Sequence, residues 1–386
     1  MALTGPITLM LAILLCVGTP VLAVVLWNRG SVGTPATLVA RLLMRVVLIG
    51  LCQVSAVALV GVLVNDSGSF YSSWREVIGD HHRVTHPVVL PGAVDAAVQA
   101  RLGWASEHGH GLVVTTTIPG SRSGVGTFKA LVYLPAEYGL NSYASRRFPV
   151  VELIAGSPGT PQTWQDGLHV AATLDAEIAA GRSLPFVAVM PDADVGGARD
   201  TQCVNVVKGP AAETYLVDDV RDTIAHEFRV DTDAHAWSLM GYSSGGFCAV
   251  NLAMRHPDRF AAAVSIAGYN HPAHDHQTGE LFGRDTALRD LNTPIWRETH
   301  LPLPNVAVLL MTSRQDPGTG PDAATMAAAA RPPFTVTRVS LRSGGHNFEV
   351  WRAEEPVAFA WLTTHLTAPL AAPPIVDGTT PVRSGG

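Results

Sequence analysis

Two short stretches of this chain hold residue types that do chemistry together. Gly241-Tyr242-Ser243-Ser244-Gly245 is a G-x-S-x-G pentapeptide, and Ser343-Gly344-Gly345-His346-Asn347-Phe348 sets a histidine in a glycine-rich stretch. A serine hydroxyl is a weak nucleophile near neutral pH. It needs a base to take its proton and an acid to orient that base. Ser243, then a carboxylate, then His346 is a chain order that suits acyl transfer through a covalent acyl-enzyme. Asp316, in Ser313-Arg314-Gln315-Asp316-Pro317, is the first candidate for the acid, and Asp322, six residues on, is its rival. The acid would fix the imidazole tautomer and stabilise its charged form.

The pentapeptide can act only at a sharp turn from strand to helix. Its flanks fit. Ala236-Trp237-Ser238-Leu239-Met240 is apolar and strand-like, and Gly246 to Met254 has a helix pattern that stops before Pro257. The turn leaves no room for side chains two residues either side of the serine, hence the two glycines. It also leaves the backbone N–H of Ser244 facing the place where an oxyanion develops. A second donor is expected from the loop after Ile154, Gly156-Ser157-Pro158. Pro158 has no N–H, so Ser157 is the candidate.

Other apolar runs supply the rest of a sheet. Leu112–Ile118 and Phe128–Leu134 flank a Gly/Ser turn and predict a hairpin. Val150–Ala155, Pro185–Met190, Ala261–Ala267, Val306–Met311 and Thr335–Leu341 predict further strands. Between Glu213 and Phe228, Leu216, Val220, Ile224 and Phe228 recur at the spacing of one helix face. A last helix is expected from Pro356 to Leu366, with Glu354 and Glu355 near its positive end. Largely apolar strands alternating with helices predict an α/β fold with a mostly parallel central sheet. Asp316 and His346 both follow strands, at the sheet end where such folds hold their ligands.

The first 64 residues differ from the rest. Ile7–Trp27 and Val46–Val64 carry no charge, and at about 1.5 Å per helical residue each is close to the thickness of a bilayer core. The residues before Ile7 lack Lys and Arg, unlike a signal peptide. Arg29, Arg41 and Arg45 lie between the runs or at their inner ends, which places that turn in the cytoplasm and the bulk of the chain outside. Phe70, Tyr71 and Trp74 suit an interfacial aromatic belt. The expected organisation is an anchor at 1–64, a connector at 65–110, a catalytic domain at 111–367 and a disordered tail at 368–386. The connector's His81, His82, Arg83 and His86 suggest no chemistry.

An oxidising location predicts a Cys203–Cys248 disulfide, whereas Cys16 and Cys52 fall in the apolar runs. A net charge of −6 and the lack of a basic cluster argue against a nucleic-acid partner. His271, His274, Asp275 and His276 form a cluster without metal-site spacing. It is read as a loop shaping the acyl or alcohol pocket, and neither a metal nor a cofactor is expected. Asp192 and Asp194 are read as solvated or turn residues.

From about Leu112 to Leu366 the chain resembles the esterase D-like branch of the α/β-hydrolases. That branch holds bacterial feruloyl esterases, S-formylglutathione hydrolases and actinobacterial mycolyltransferases. The resemblance is carried by Gly241–Gly246 with Phe247-Cys248-Ala249, by Glu213-Thr214-Tyr215, by His256-Pro257-Asp258-Arg259-Phe260 and by Gly344-Gly345-His346-Asn347. It implies Ser243 as nucleophile, His346 as base and Asp316 as acid. It departs at Ala155-Gly156, where many relatives have His-Gly. The two-span anchor is similar to that of membrane-tethered actinobacterial members. The expected activity is an extracytoplasmic serine esterase acting on an envelope or lipid-derived ester. The alternatives are an acyltransferase that uses a sugar or lipid hydroxyl as acceptor, and a catalytically silent module that binds envelope components.

Overall fold

The apolar runs at the start of the chain form two helices, α1 (Pro6–Leu26) and α2 (Pro35–Gly68). Both are long and apolar enough to cross a bilayer, over Thr8–Leu26 and Leu38–Leu63. They pack against each other with Thr19 Oγ1 2.8 Å from Ser55 Oγ and the Arg45 guanidinium over the Trp27 ring. These two contacts, from opposite directions along the two helices, make the pair an antiparallel hairpin. Most of its apolar side chains face outward, among them Leu14, Leu15, Val24 and Val57.

The structure is a computed structural model, and it describes residues 6–27, 35–68, 88–89, 96–197, 199–316 and 318–371. The aromatic trio Phe70, Tyr71 and Trp74, the connector's His81, His82, Arg83 and His86, and Arg29 lie outside the described residues. The chain divides into two units, residues 1–83 with 343–350, and residues 84–342 with 351–386.

The second unit is built on strands β1 (Val88–Val89), β2 (Leu112–Pro119), β3 (Thr127–Leu134), β4 (Arg146–Arg147), β5 (Val150–Ile154), β6 (Val187–Met190), β7 (Trp237–Tyr242), β8 (Ala262–Ile266), β9 (Ala307–Ser313), β10 (Thr335–Leu341) and β11 (Leu370–Ala371). Its main helices are α3 (Ala96–Glu107), α4 (Val170–Ala179), α5 (Val220–Glu227), α6 (Ser244–Arg255), α7 (Thr286–Leu291), α8 (Pro294–His300) and α9 (Thr319–Ala329); the last helix, α10, spans Phe348–Thr363. Among the described residues nine strands form one sheet in the order β1-β2-β3-β6-β5-β7-β8-β9-β10. β2 and β3 form the expected hairpin, Leu112 opposite Leu134 and Ile118 opposite Phe128. β3 is antiparallel to β6 as well, and from β6 to β10 every pairing is parallel.

Every residue of β5, β6, β7 and β8 is buried. That is why these strands read as near-continuous apolar runs, broken in β5 by the buried Glu152, rather than as alternating ones. Leu216, Val220, Ile224 and Phe228 are all buried, as their spacing requires, although a π turn at Tyr215–Asp219 interrupts the helix before α5. The expected connector contains helix α3, which buries Val98, Leu102 and Ala105.

The last helix departs from expectation. It begins at Phe348, eight residues before Pro356, which lies inside it. Asn347 caps it, its Oδ1 accepting the Val350 N–H at 3.1 Å. Proline costs an interior helix one N–H, but burial of Trp351, Ala358, Phe359 and Leu362 carries the helix through it. Glu354 and Glu355 are therefore no exposed acids at a helix start, being 1% and 0% exposed. Beyond α10, β11 pairs with β4, and Arg146 Nη1 donates to Pro369 O at 3.0 Å. The rest of the expected tail, residues 372–386, lies outside the described residues.

Candidate active site

Ser243 is the single residue between β7 and α6, and it has φ 55° and ψ −125°. Non-glycine residues rarely occupy this region, and it persists only where the surroundings over-determine it. Here the Ser243 N–H donates to Ile266 O at 2.8 Å, while Ser243 O accepts from Gly246 N and Phe247 N at 2.9 and 3.2 Å. The two glycines have steric reasons. A Cβ at Gly241 would stand 2.1 Å from Gly245 O, and one at Gly245 would stand 2.2 Å from Ile154 O. The motif's turn is thus set by backbone against backbone. Beneath it, Tyr242 stacks on Trp351 at 4.7 Å and meets the edge of Trp164 at 5.1 Å. The expected Cys203–Cys248 disulfide is formed, and it ties the loop after β6 to α6. Cys16 and Cys52 are free thiols in the two N-terminal helices.

Ser157 and Ser244, the two candidate oxyanion donors, are neighbours. The Ser157 N–H donates to Ser244 Oγ at 2.7 Å. That donor is therefore engaged by a side chain, which backbone reasoning from the motif does not foresee. Two aspartates stand behind the pair. The Ser157 hydroxyl and the Gly159 N–H face Asp194, whose carboxyl is pushed up to about 7 by burial and by the charges of Asp200 and Asp192. The Ser244 hydroxyl faces Asp200, which burial also raises. Asp192 is the turn residue the sequence suggests, its Oδ1 accepting the Asp194 N–H at 3.1 Å. Asp194 is half-buried against the loop that carries Ser157. No sequence motif marks it, because its partners lie on a different strand's loop.

Asp316 and Asp322 part company. Asp316 is 7% exposed in the loop after β9. Glu354 of α10 lies within its electrostatic reach, and burial first, then the Asp316 charge, pushes the Glu354 carboxyl up to about 8. Asp322, in the first turn of α9, is committed elsewhere: its Oδ2 accepts the Asn270 N–H at 2.9 Å and lies 3.5 Å from His271 Nδ1. His346 occupies the loop between β10 and α10, within the unit that contains the N-terminal hairpin.

Among the described residues no group of three or more His, Cys, Asp or Glu is arranged to hold a metal ion. In the His271–His276 segment, Asp275 Oδ1 accepts the Gln277 and Thr278 N–H groups, and His274 lies 3.7 Å from Glu280. The same segment walls a cavity of about 290 Å³ with Leu281, Phe282, Arg284 and Arg289.

With this geometry in view, the comparisons are specific. The family model described as "putative esterase" matches residues 123–367, and the chain belongs to that family. An uncharacterized protein of Corynebacterium glutamicum is 26% identical over 255 residues, 64% of this chain and 59% of that protein. The chain thus spans less than two thirds of the length of that relative. Among solved structures, a ferulic acid esterase superposes with a TM-score of 0.56 at 21% identity, covering 67% of this chain and 98% of its own. The S-formylglutathione hydrolase of Agrobacterium tumefaciens gives 0.56 at 16% identity, covering 67% and 96%. Both share the α/β-hydrolase fold with this chain. Family and fold together place the chain among the esterases by descent and architecture.

Proposed function

We propose that this chain is a membrane-anchored serine esterase whose catalytic unit works outside the cytoplasmic membrane. Ser243 Oγ attacks the ester carbonyl while His346 takes its proton, with Asp316 holding the imidazole. The tetrahedral oxyanion is bound by the N–H groups of Ser244 and Ser157. Collapse expels the alcohol, which receives the proton from His346. Water, activated by the same imidazole, then releases the acid from Ser243. The observation that carries this reading is the strained backbone at Ser243, φ 55° and ψ −125°, at the end of a fully buried strand. Strain of this kind marks functional sites.

The anchor is supported by the length and composition of α1 and α2 and by Arg41 and Arg45 at the end of α2 nearest their connection. The extracytoplasmic side is supported by the disulfide, since such bonds persist in oxidising compartments. An envelope or lipid-derived ester is the substrate class such an address favours. The test is hydrolysis of p-nitrophenyl butyrate by the full chain in detergent. Wild type is expected to turn over and Ser243→Ala to lose at least about 10³-fold in kcat. Full activity in the alanine variant would refute the assignment.

A further inference from the structure

The two residues assigned to bind the oxyanion contact each other in a way that blocks one of them. Ser244 Oγ accepts the Ser157 N–H at 2.7 Å. An N–H held that closely by one acceptor has little left for a second. Behind the hydroxyl lies a buried carboxyl. The Ser244 O–H faces the carboxylate of Asp200, a residue only 8% exposed. Asp200 is fixed in turn by the Gln202 N–H and Nε2 at 2.8 and 2.5 Å. Gln202 Oε1 accepts from Tyr269 O–H at 2.8 Å and from Ala273 N at 3.2 Å. Tyr269 stacks on Phe247 of α6, and Cys203, next to Gln202, is bonded to Cys248 of the same helix. The anchor of the Ser244 hydroxyl is thus fastened twice to the helix that Ser244 begins.

We propose that the Ser244 hydroxyl is a built-in occupant of the oxyanion hole, backed by Asp200, and that the substrate's carbonyl oxygen must displace it before Ser157 can stabilise the tetrahedral intermediate. This rests on the serine esterase reading above and adds a role for residues that the motif leaves undefined. Ser244 contributes its N–H to the reaction and, through its side chain, subtracts from it. Asp200 and Gln202 are positioning residues that act through Ser244. Removing the hydroxyl frees a donor without moving the backbone that carries both N–H groups.

The experiment uses the full chain in detergent and two readouts, the second-order rate of fluorophosphonate labelling of Ser243 and kcat/KM for p-nitrophenyl butyrate. Ser244→Ala is expected to raise both by roughly three- to tenfold, the worth of one neutral hydrogen bond. Asp200→Asn, which weakens the anchor, should raise them by a smaller factor in the wild-type background and leave them unchanged in the Ser244→Ala background. Structural damage would instead slow both readouts, and the loss would persist in the double variant. Equal or slower labelling of Ser244→Ala, with wild type labelled at Ser243, overturns this proposal alone. Absence of labelling in wild type overturns the esterase reading and this one with it.

Discussion

Strands β7 and β10 each lead into a candidate catalytic residue, and they are opposites. All six residues of β7 are buried, and Ser243 follows at once. β10 is an edge strand on which none of the seven residues is fully buried, and His346 comes five residues after it. Ser243 is held by backbone atoms in close contact. His346 is carried on a loop that ends at the Asn347 cap of α10. The lesson is that one half of the machinery is fixed by sterics and is legible as a motif. The other half of the proposed machinery is legible only as a residue type in the right chain order.

The contrast sharpens first at the acid. Asp316→Asn is expected to lower kcat for p-nitrophenyl butyrate by about 10²–10⁴-fold, while Asp322→Asn stays within a few-fold of wild type. Asp322 is occupied by Asn270, so an inversion of that order would move the acid to α9. Next come the two strands themselves. Gly245→Ala forces a Cβ to 2.2 Å from Ile154 O and should cost at least about 3 kcal/mol or prevent folding. Thr335→Ala, on the exposed start of β10, should stay within about 0.5 kcal/mol. Denaturant melts of the two variants check the difference, and equal costs would break it. Reducing Cys203–Cys248, which closes a loop of 45 residues, should cost about 3–4 kcal/mol by chain entropy. The expected readout is a lower melting temperature in dithiothreitol, unchanged in a Cys203→Ala variant.

The smallest expected effect concerns pH. Burial raises the carboxyls of Asp194 and Glu298 to about 7 and that of Glu354 to about 8, and it lifts Glu152 and Glu355 well above the usual range. The folded chain therefore keeps protons that the unfolded chain has released by about pH 4–5. Stability is greatest below that range and is lost as pH rises toward about 8. Melting temperature should fall from pH 5 to pH 8. Glu298→Gln, on α8, should recover roughly 1–3 kcal/mol at pH 8 and little at pH 5. A flat or rising profile would mean that these carboxyls are ionised in the folded state.

Much of the fold was legible because buried parallel strands announce themselves as largely apolar runs. The turn at Ser243 was legible because a side chain at Gly241 or Gly245 would meet backbone. The pairing of Cys203 with Cys248 followed from location alone. What escaped has a common cause. Pro356 looks like a helix start, but the start is set by the Asn347 side chain and by burial further along α10. Glu354 and Glu355 look like surface acids because nothing local signals that a carboxyl will be kept neutral inside. Helix α3 does carry its signal in Val98, Leu102 and Ala105, but it is brief and lies beside Gly/His-rich sequence. The bond from Ser157 to the Ser244 hydroxyl depends on a rotamer, which residue spacing does not encode.

The central claim is that Ser243 is the nucleophile, and its most direct test is chemical. Wild-type chain treated with a fluorophosphonate should gain one covalent adduct, and peptide mass spectrometry should find it on Ser243, with Ser243→Ala unlabelled. An adduct on another residue, or one that survives in Ser243→Ala, would contradict the account.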